Sequence, residues 1–153
     1  MVDRTLVILK PDAVQRHLMG HIISRFELKG LKLIAAKFMQ IAPDTAREHY
    51  VVHSRKDFYN DAVRYLSSAP VLVMVWQGSR AIEITRKMMG ATFGFQAEPG
   101  TIRGDLCISH RCNLIHGSDS PENAEKEISL YFTRDELLDY DLSDSEWMSG
   151  PDC

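Results

Sequence analysis

Two nucleotide-binding signatures are missing from this chain. It contains no G-x-x-x-x-G-K-S/T run and no G-x-G-x-x-G, so neither a P-loop nor a dinucleotide-binding turn is available. Any phosphate group must therefore be held by side chains. Long hydrophobic runs are missing too: nothing approaches the ~20 apolar residues of a membrane span, and no membrane partner is expected. The start, Met1-Val2-Asp3-Arg4, leads directly into a strand-like run, so no signal peptide is expected. Cysteine is scarce: Cys107, Cys112 and Cys153 are odd in number and lack framework spacing. That pattern fits a reducing cytosol, and hence a cytoplasmic protein, with no structural disulfides. Nor is there an excess of positive charge, since the formal net charge is −3 and the pI is near 6.0. A nucleic-acid scaffold is normally basic overall, so nucleic acid is not expected as the main partner. A handful of Arg and Lys can still hold a phosphate inside an acidic protein.

What is present suffices for one core. A chain of 153 residues with 44% hydrophobic content reads as a single domain over residues 1–153, with 139–153 as a C-terminal tail. Thr5-Leu6-Val7-Ile8-Leu9 is a continuous apolar run, the mark of a strand buried on both faces. Pro11 and Asp12 turn the chain into a helix with an Ile22, Ile23, Phe26 stripe, and Gly30 stops it. Residues 31–41 read as a second strand. Short helices follow from Pro43 to about Val52 and from Asp57 to Leu66. Val71 to Trp76 is the strongest strand signal, and a helix from Gly78-Ser79 to Gly90 comes next. Residues 90–112 are glycine-rich without clear periodicity, and so long a loop suggests a function. A fourth strand lies near Asn113–His116. Ser120 as N-cap, Pro121 at the first turn and a buried Ala124, Ile128, Tyr131 face mark the last helix. In the acidic tail Trp147 is the expected apolar anchor. The element order gives an α/β (α+β) fold of ferredoxin-like βαββαβ type, a four-stranded antiparallel sheet covered by helices, with a long loop and a tail.

Chemistry concentrates at Asn113–Asp119. His116 ends a strand and is followed by Gly117, which permits close backbone approach by a ligand. Ser118, Asp119 and Ser120 lead into a helix N-terminus, which favours anions. A histidine largely neutral near pH 7 is nucleophilic at one ring nitrogen if a partner fixes the other. Glu127, at the edge of the last helix's buried face, is a plausible partner. A strand-end histidine satisfied by backbone is the competing reading. Lys10, Arg86 and Arg103 are the natural phosphate holders, although surface Arg and Lys are usually just solvated. His49 and His53 lie four residues apart, and Cys107, His110 and Cys112 cluster. Without an H-E-x-x-H motif or knuckle spacing, no metal site is expected from either group.

These segments resemble nucleoside diphosphate kinases. Asn113–Asp119 is similar to the active-site signature of that family. Leu9-Lys10-Pro11-Asp12, His49-Tyr50, Pro70-Val71, Pro99–Asp105 and Ala124–Ile128 fall in the family's order over most of the chain. The resemblance implies ping-pong transfer: a nucleoside triphosphate such as ATP phosphorylates His116, and a second nucleoside diphosphate collects the group. It implies that Phe58 stacks on the base and that Lys10 and Asn113 bind the sugar hydroxyls. Arg86, Thr92 and Arg103 then hold phosphates, with Lys10 and Tyr50 near the transferred group. Glu127 orients the imidazole and Ser118 supports that pair. Mg²⁺ is implied through the nucleotide phosphates, with little direct protein ligation. A homo-oligomer is implied, a hexamer rather than a tetramer. The chain departs from the family pattern at His110-Arg111-Cys112, at Phe93-Gly94 after Thr92, and at Val52. Position 110 bears on base affinity and not on the chemistry. A fold-retaining interaction protein without turnover, or a histidine phosphatase or phosphocarrier, is the competing class; nucleotide acceptance separates them.

Overall fold

A computed structural model describes residues 2–149, the side chain of residue 149 excepted; Cys153 lies outside the described residues. Strands β1 (Val2–Leu9), β2 (Lys32–Met39), β3 (Val71–Ser79) and β4 (Ile115–Gly117) form one sheet in the order β2-β3-β1-β4, with every pairing antiparallel. The alternation of side chains along β1 and β3 divides the core in two. Leu6, Ile8, Val73 and Val75 pack on one face, and Val7, Leu9, Met74 and Trp76 on the other. Both faces being covered explains why these strands read as unbroken apolar runs.

The helices supply the covers. α2 (Met19–Leu28) follows β1, and α5 (Ala81–Met89) joins β3 to β4. Ile22, Phe26, Ala81 and Met89 from these helices join the Trp76 side. Between β2 and β3 lie α3 (Pro43–His49) and α4 (Tyr59–Leu66), and after β4 comes α7 (Pro121–Tyr131). Their Ala46, Val63, Leu66, Ile128 and Tyr131 close the opposite side. The fold is the expected ferredoxin-like α/β arrangement, a four-stranded antiparallel sheet with helices on both faces.

Several boundaries differ from the sequence reading. The helix after β1 is two helices, α1 (Pro11–Gln15) and α2, because His17 takes a left-handed φ of 60° that breaks the turn. β3 continues to Ser79, and α5 starts only at Ala81 after Arg80 at φ 54°. Residues 90–112 are not structureless. They hold a 3₁₀ turn at Gly94–Gln96 and α6 (Ile102–Leu106), the latter capped by Thr101 Oγ1 accepting from Gly104 N at 3.0 Å. At five residues, α6 is too short for its periodicity to show in sequence. β4 sits about one residue later than expected.

The tail is anchored by Tyr140 rather than by Trp147, which is 82% exposed. Among the described residues the tail also holds α8 (Ser145–Ser149). Tyr140 donates its hydroxyl to Leu33 O at 2.6 Å, and its carbonyl accepts from Lys32 Nζ at 2.5 Å. The same ammonium stands 5.0 Å from the Tyr140 ring centroid. Leu138 N donates to Ile34 O at 2.9 Å, where a bulge between Leu33 and Ala35 interrupts the β2–β3 register. An aromatic ring with a polar tip can satisfy both apolar and polar neighbours at a strand edge. Replacing Tyr140 by Ala is expected to cost about 1–2 kcal/mol, and Trp147→Ala less. Urea denaturation of the two variants checks this, and equal losses would contradict the anchoring role.

Candidate active site

Strand parity places His116. It pairs with Ile8 across β1 and β4, and directly paired residues share a face. The imidazole therefore points to the Ile8 side, under α3 and α7. Two side chains meet it there. Glu127 of α7 puts Oε2 2.6 Å from His116 Nε2, with the Glu127 side chain 14% and that of His116 23% exposed. His49, the last residue of α3, sets its ring edge-on to His116 at 4.5 Å between centroids. With Nε2 donating to the carboxylate, Nδ1 of His116 retains its lone pair. Burial, then the facing His116, Lys10 and His53, hold the His49 pKa well below the ordinary value. His49 is thus neutral at pH 7, and its Nδ1 is buried with no hydrogen-bond partner.

Glu127 stands where it does because α7 is fixed at its start. Ser120 Oγ accepts from Asn123 N at 3.2 Å and Pro121 occupies the first turn. Ala124, Ile128 and Tyr131 are then buried, which leaves Glu127 at the flank of the packed face, above β4.

The backbone before β4 is strained. Leu114 has a φ of 70°, and Ile115 N donates to Asn113 O at 2.8 Å across it, which makes a γ-turn of the rare left-handed kind. Such a conformation costs about 1–2 kcal/mol in a residue with a Cβ. It is over-determined. Asp12 Oδ2 accepts from Leu114 N at 3.0 Å, Leu114 O accepts from Lys10 N at 2.8 Å, and the Tyr65 hydroxyl donates to Asp12. The Leu114 side chain is fully buried. The turn brings Asn113 and His116 to the same cleft. Asp12 has no other evident task, and its role is invisible in sequence because its partner lies 102 residues away.

Three cations converge on this cleft, whose volume is about 530 Å³. Lys10 Nζ donates to Asn113 Oδ1 at 2.8 Å, and Asn113 Nδ2 donates to Thr92 O at 3.0 Å. Arg103 is only 4% exposed and donates to Asn113 O, Gly90 O and Ile115 O at 3.1, 3.1 and 2.6 Å. A guanidinium has five N–H donors, so two remain. Arg86 donates only a long bond to Gly117 O, 3.4 Å. Among the described residues none of the three cations has a carboxylate oxygen within 4.0 Å of its charged nitrogens. Burial, then the nearby Arg103, lowers the Lys10 pKa to about 8. Burial, then Arg86, lowers that of Arg103 to about 10. Like charges held this close without counter-ions form a site that an anion relieves. Tyr50 adds a phenol whose pKa is pushed up to about 12 by burial and the Glu127 charge. It is a donor at neutral pH.

The structure gathers most residues singled out in the sequence. Lys10, Tyr50, Arg86, Thr92, Arg103, Asn113, His116 and Glu127 line the one cleft. Phe58 does not line it; it is half-exposed beside His53, 5.6 Å between centroids, and His53 does. Ser118 is fully buried, and its hydroxyl accepts from Leu6 N at 3.1 Å, so it ties β4 to β1 rather than touching Glu127. His110 stacks on Phe93 at 4.2 Å. A Cβ at Gly117 would lie 2.5 Å from Met89 Sδ and 3.1 Å from Thr85 Cγ2, so a larger residue there must displace side chains of α5.

Comparisons with known proteins agree on one family. Residues 3–137 match the family description "Nucleoside diphosphate kinase". The nucleoside diphosphate kinase of Thermomicrobium roseum is 50% identical over 149 residues, covering 97% of this chain and 100% of its own. That of Methanobrevibacter smithii is 49% identical over 146 residues, covering 95% and 97%. Among solved structures, a halophilic nucleoside diphosphate kinase from Halobacterium salinarum in complex with CDP superposes with a TM-score of 0.94 at 46% identity, covering 97% of this chain and 99% of that one. The enzyme from Borrelia burgdorferi, with bound vanadate and ADP as a transition-state mimic, gives 0.91 at 34% identity, covering 97% and 98%. Sequence, fold and cleft agree: the chain belongs to the nucleoside diphosphate kinase family.

Proposed function

We propose that this chain moves the γ-phosphoryl group of a nucleoside triphosphate to a nucleoside diphosphate through a phosphohistidine on His116. The observation that carries the reading is the 2.6 Å pairing of His116 Nε2 with Glu127 at the end of a cleft lined by Lys10, Arg86 and Arg103. In the first half-reaction Nδ1 attacks the γ-phosphorus. The N–P bond forms as the bond to the β,γ-bridging oxygen breaks, and the diphosphate leaves with that electron pair. Positive charge develops on the imidazole, and the Glu127 carboxylate stabilises it. His49, being neutral, adds no repulsion. In the second half-reaction a terminal oxygen of another diphosphate attacks phosphorus, and the N–P pair returns to Nδ1.

The remaining roles follow from position. Arg86 and the two spare donors of Arg103 hold phosphate oxygens, and Thr92 lies beside them. Lys10 serves the transferred group and, with Asn113, the sugar hydroxyls. The Tyr50 phenol donates near the transferred group. Phe58, half-exposed beside His53, stacks on the base; such stacking tolerates every base. Ser118 supports the His116–Glu127 pair indirectly, through β4. Mg²⁺ enters as part of the nucleotide substrate, with little direct protein ligation. The reading covers residues 1–153 as one domain with 139–153 as its tail. Among the described residues no helix is long and apolar enough to cross a membrane, and we place the enzyme in the cytoplasm. We also assign it to a homo-oligomer, a hexamer rather than a tetramer. β2 supports association, because it is an edge strand with Phe38 61% exposed, and exposed edges are normally covered.

Incubation with labelled ATP and Mg²⁺ should give an acid-labile, base-stable phosphoenzyme that discharges onto added GDP. A folded His116→Ala variant should not label, and persistent labelling would contradict the assignment. Glu127→Ala should slow single-turnover phosphorylation roughly ten- to hundredfold, the kinetic equivalent of about 1.5–3 kcal/mol for a charge-assisted hydrogen bond. An undiminished rate removes the orienting role. The Lys10 pKa near 8 sets a pH limb. The charged, phosphate-binding form is present below that value and is lost above it, so kcat/KM for MgATP should fall as pH rises through about 8. A Lys10→Gln enzyme should lack this limb, and a wild-type profile flat to well above it would count against Lys10.

A further inference from the structure

We propose that His49, His116 and Glu127 form a binding site for a borderline divalent metal ion of the Zn²⁺ type, and that occupancy of this site stops phosphotransfer by taking the nucleophile. The proposal rests on the reading of His116 as that nucleophile. One ligand atom from each of the three side chains lies within 4.8 Å of the others. Among the described residues no other group of His, Cys, Asp or Glu meets that spacing. The Cys107, His110 and Cys112 cluster that the sequence offered is not such a group, and the partners that join His49 in one are His116 and Glu127.

The donor set suits such an ion. Tetrahedral zinc with bonds near 2.0–2.1 Å spaces its ligand atoms about 3.4 Å apart. The closest pair here is 2.6 Å apart and the widest is under 4.8 Å. Rotamer adjustments of about 1.5 Å or less thus bring three donors to one centre. Two imidazoles and a carboxylate, with a fourth position open to the cleft, match a borderline ion and not a hard one. Mg²⁺ prefers all-oxygen coordination and keeps its waters, so the nucleotide's own metal does not compete here.

His49 supplies the independent argument. Its Nδ1 is buried without a hydrogen-bond partner, although buried polar atoms are normally satisfied. The ring is held neutral by its surroundings, which is the form that binds metal. Glu127 is already a carboxylate aimed at His116. A metal on His116 Nδ1 blocks attack directly. A metal on Nε2 replaces the proton shared with Glu127, releases it to solvent, and draws electron density from Nδ1. Transfer stops either way.

Cobalt(II) tests the site in nucleotide-free protein carrying Cys112→Ser and Cys153→Ser, which removes two competing thiol ligands from the count. One equivalent per chain should give the intense visible absorption of low-coordinate Co²⁺, displaced by Zn²⁺ and unaffected by excess Mg²⁺. His49→Gln and Glu127→Gln should each weaken binding about tenfold or more. In the same background with the three ligands intact and histidines labelled with ¹⁵N, Zn²⁺ should shift the ring nitrogens of His49 and His116 and leave those of His53 and His110. That readout holds even if a variant fails to fold. Stoichiometric Zn²⁺ should also suppress labelling by one equivalent of MgATP, with recovery on adding EDTA. A six-coordinate Co²⁺ spectrum, unchanged affinity in folded variants, shifts at His53 or His110 instead, or full labelling with metal bound would overturn the proposal. Metal uptake is measured without turnover, so a chain that binds the ion but never labels would sink the phosphotransfer reading and leave the site intact. A chain that labels but takes no metal at these residues does the reverse.

Discussion

The hydrogen bond between His116 Nε2 and Glu127 Oε2 is the interaction on which the rest of the architecture converges. It requires β4 to present its middle residue toward α7, and α7 to present the flank of its buried stripe toward β4. The first condition is met by pairing His116 with Ile8, the second by the Ser120 cap and the burial of Ala124, Ile128 and Tyr131. A shift of one residue in the β1–β4 register would turn the imidazole to the opposite face, toward Met89 and Ile102, where no carboxylate waits. The strained γ-turn at Leu114 and the Ser118 tie to Leu6 bracket β4 and fix that register from both ends.

Electrostatics complete the site by leaving a deficit. Lys10, Arg86 and Arg103 are packed together, and two of them have pKa values lowered by burial and mutual repulsion. The fold tolerates this because Arg103 and Lys10 also serve as struts, bonded to backbone carbonyls and to Asn113. An anion in the cleft would offset the repulsion that folding leaves in place. Preorganised positive charge of this kind needs no rearrangement at the moment of transfer, which is where electrostatic catalysis gains its advantage.

Much of this was legible in the residues. β1 and β3 announced themselves as apolar runs, α7 by its cap and proline, and His116 by its place between an apolar strand and a helix start. What stayed hidden was long-range or short. The left-handed φ at Leu114 is imposed by Asp12, a partner no local pattern reveals. α6 is too brief for a period to emerge, and the early start read for α5 missed that β3 runs on to Ser79. Trp147 looked like the tail's anchor on hydrophobicity alone, whereas Tyr140 won because its hydroxyl and carbonyl both find partners on β2. As a metal ligand His49 finds only His53 in sequence, since nothing there says that the end of α3 lies against β4. Resemblance implies that Ser118 supports the catalytic pair, and what the sequence hides is that its hydroxyl ties the end of β4 to Leu6 of β1.

The central claim is that Glu127 fixes one ring nitrogen of His116 and thereby selects the other for attack. Coupling between ¹⁵N and ³¹P in the isolated phosphoenzyme, made with ¹⁵N-labelled histidine, tests it most directly. The account predicts phosphorus bonded to Nδ1 of His116, with Nε2 still protonated. Phosphorus on Nε2 would contradict it, because the nitrogen held by the carboxylate would then be the one that reacts.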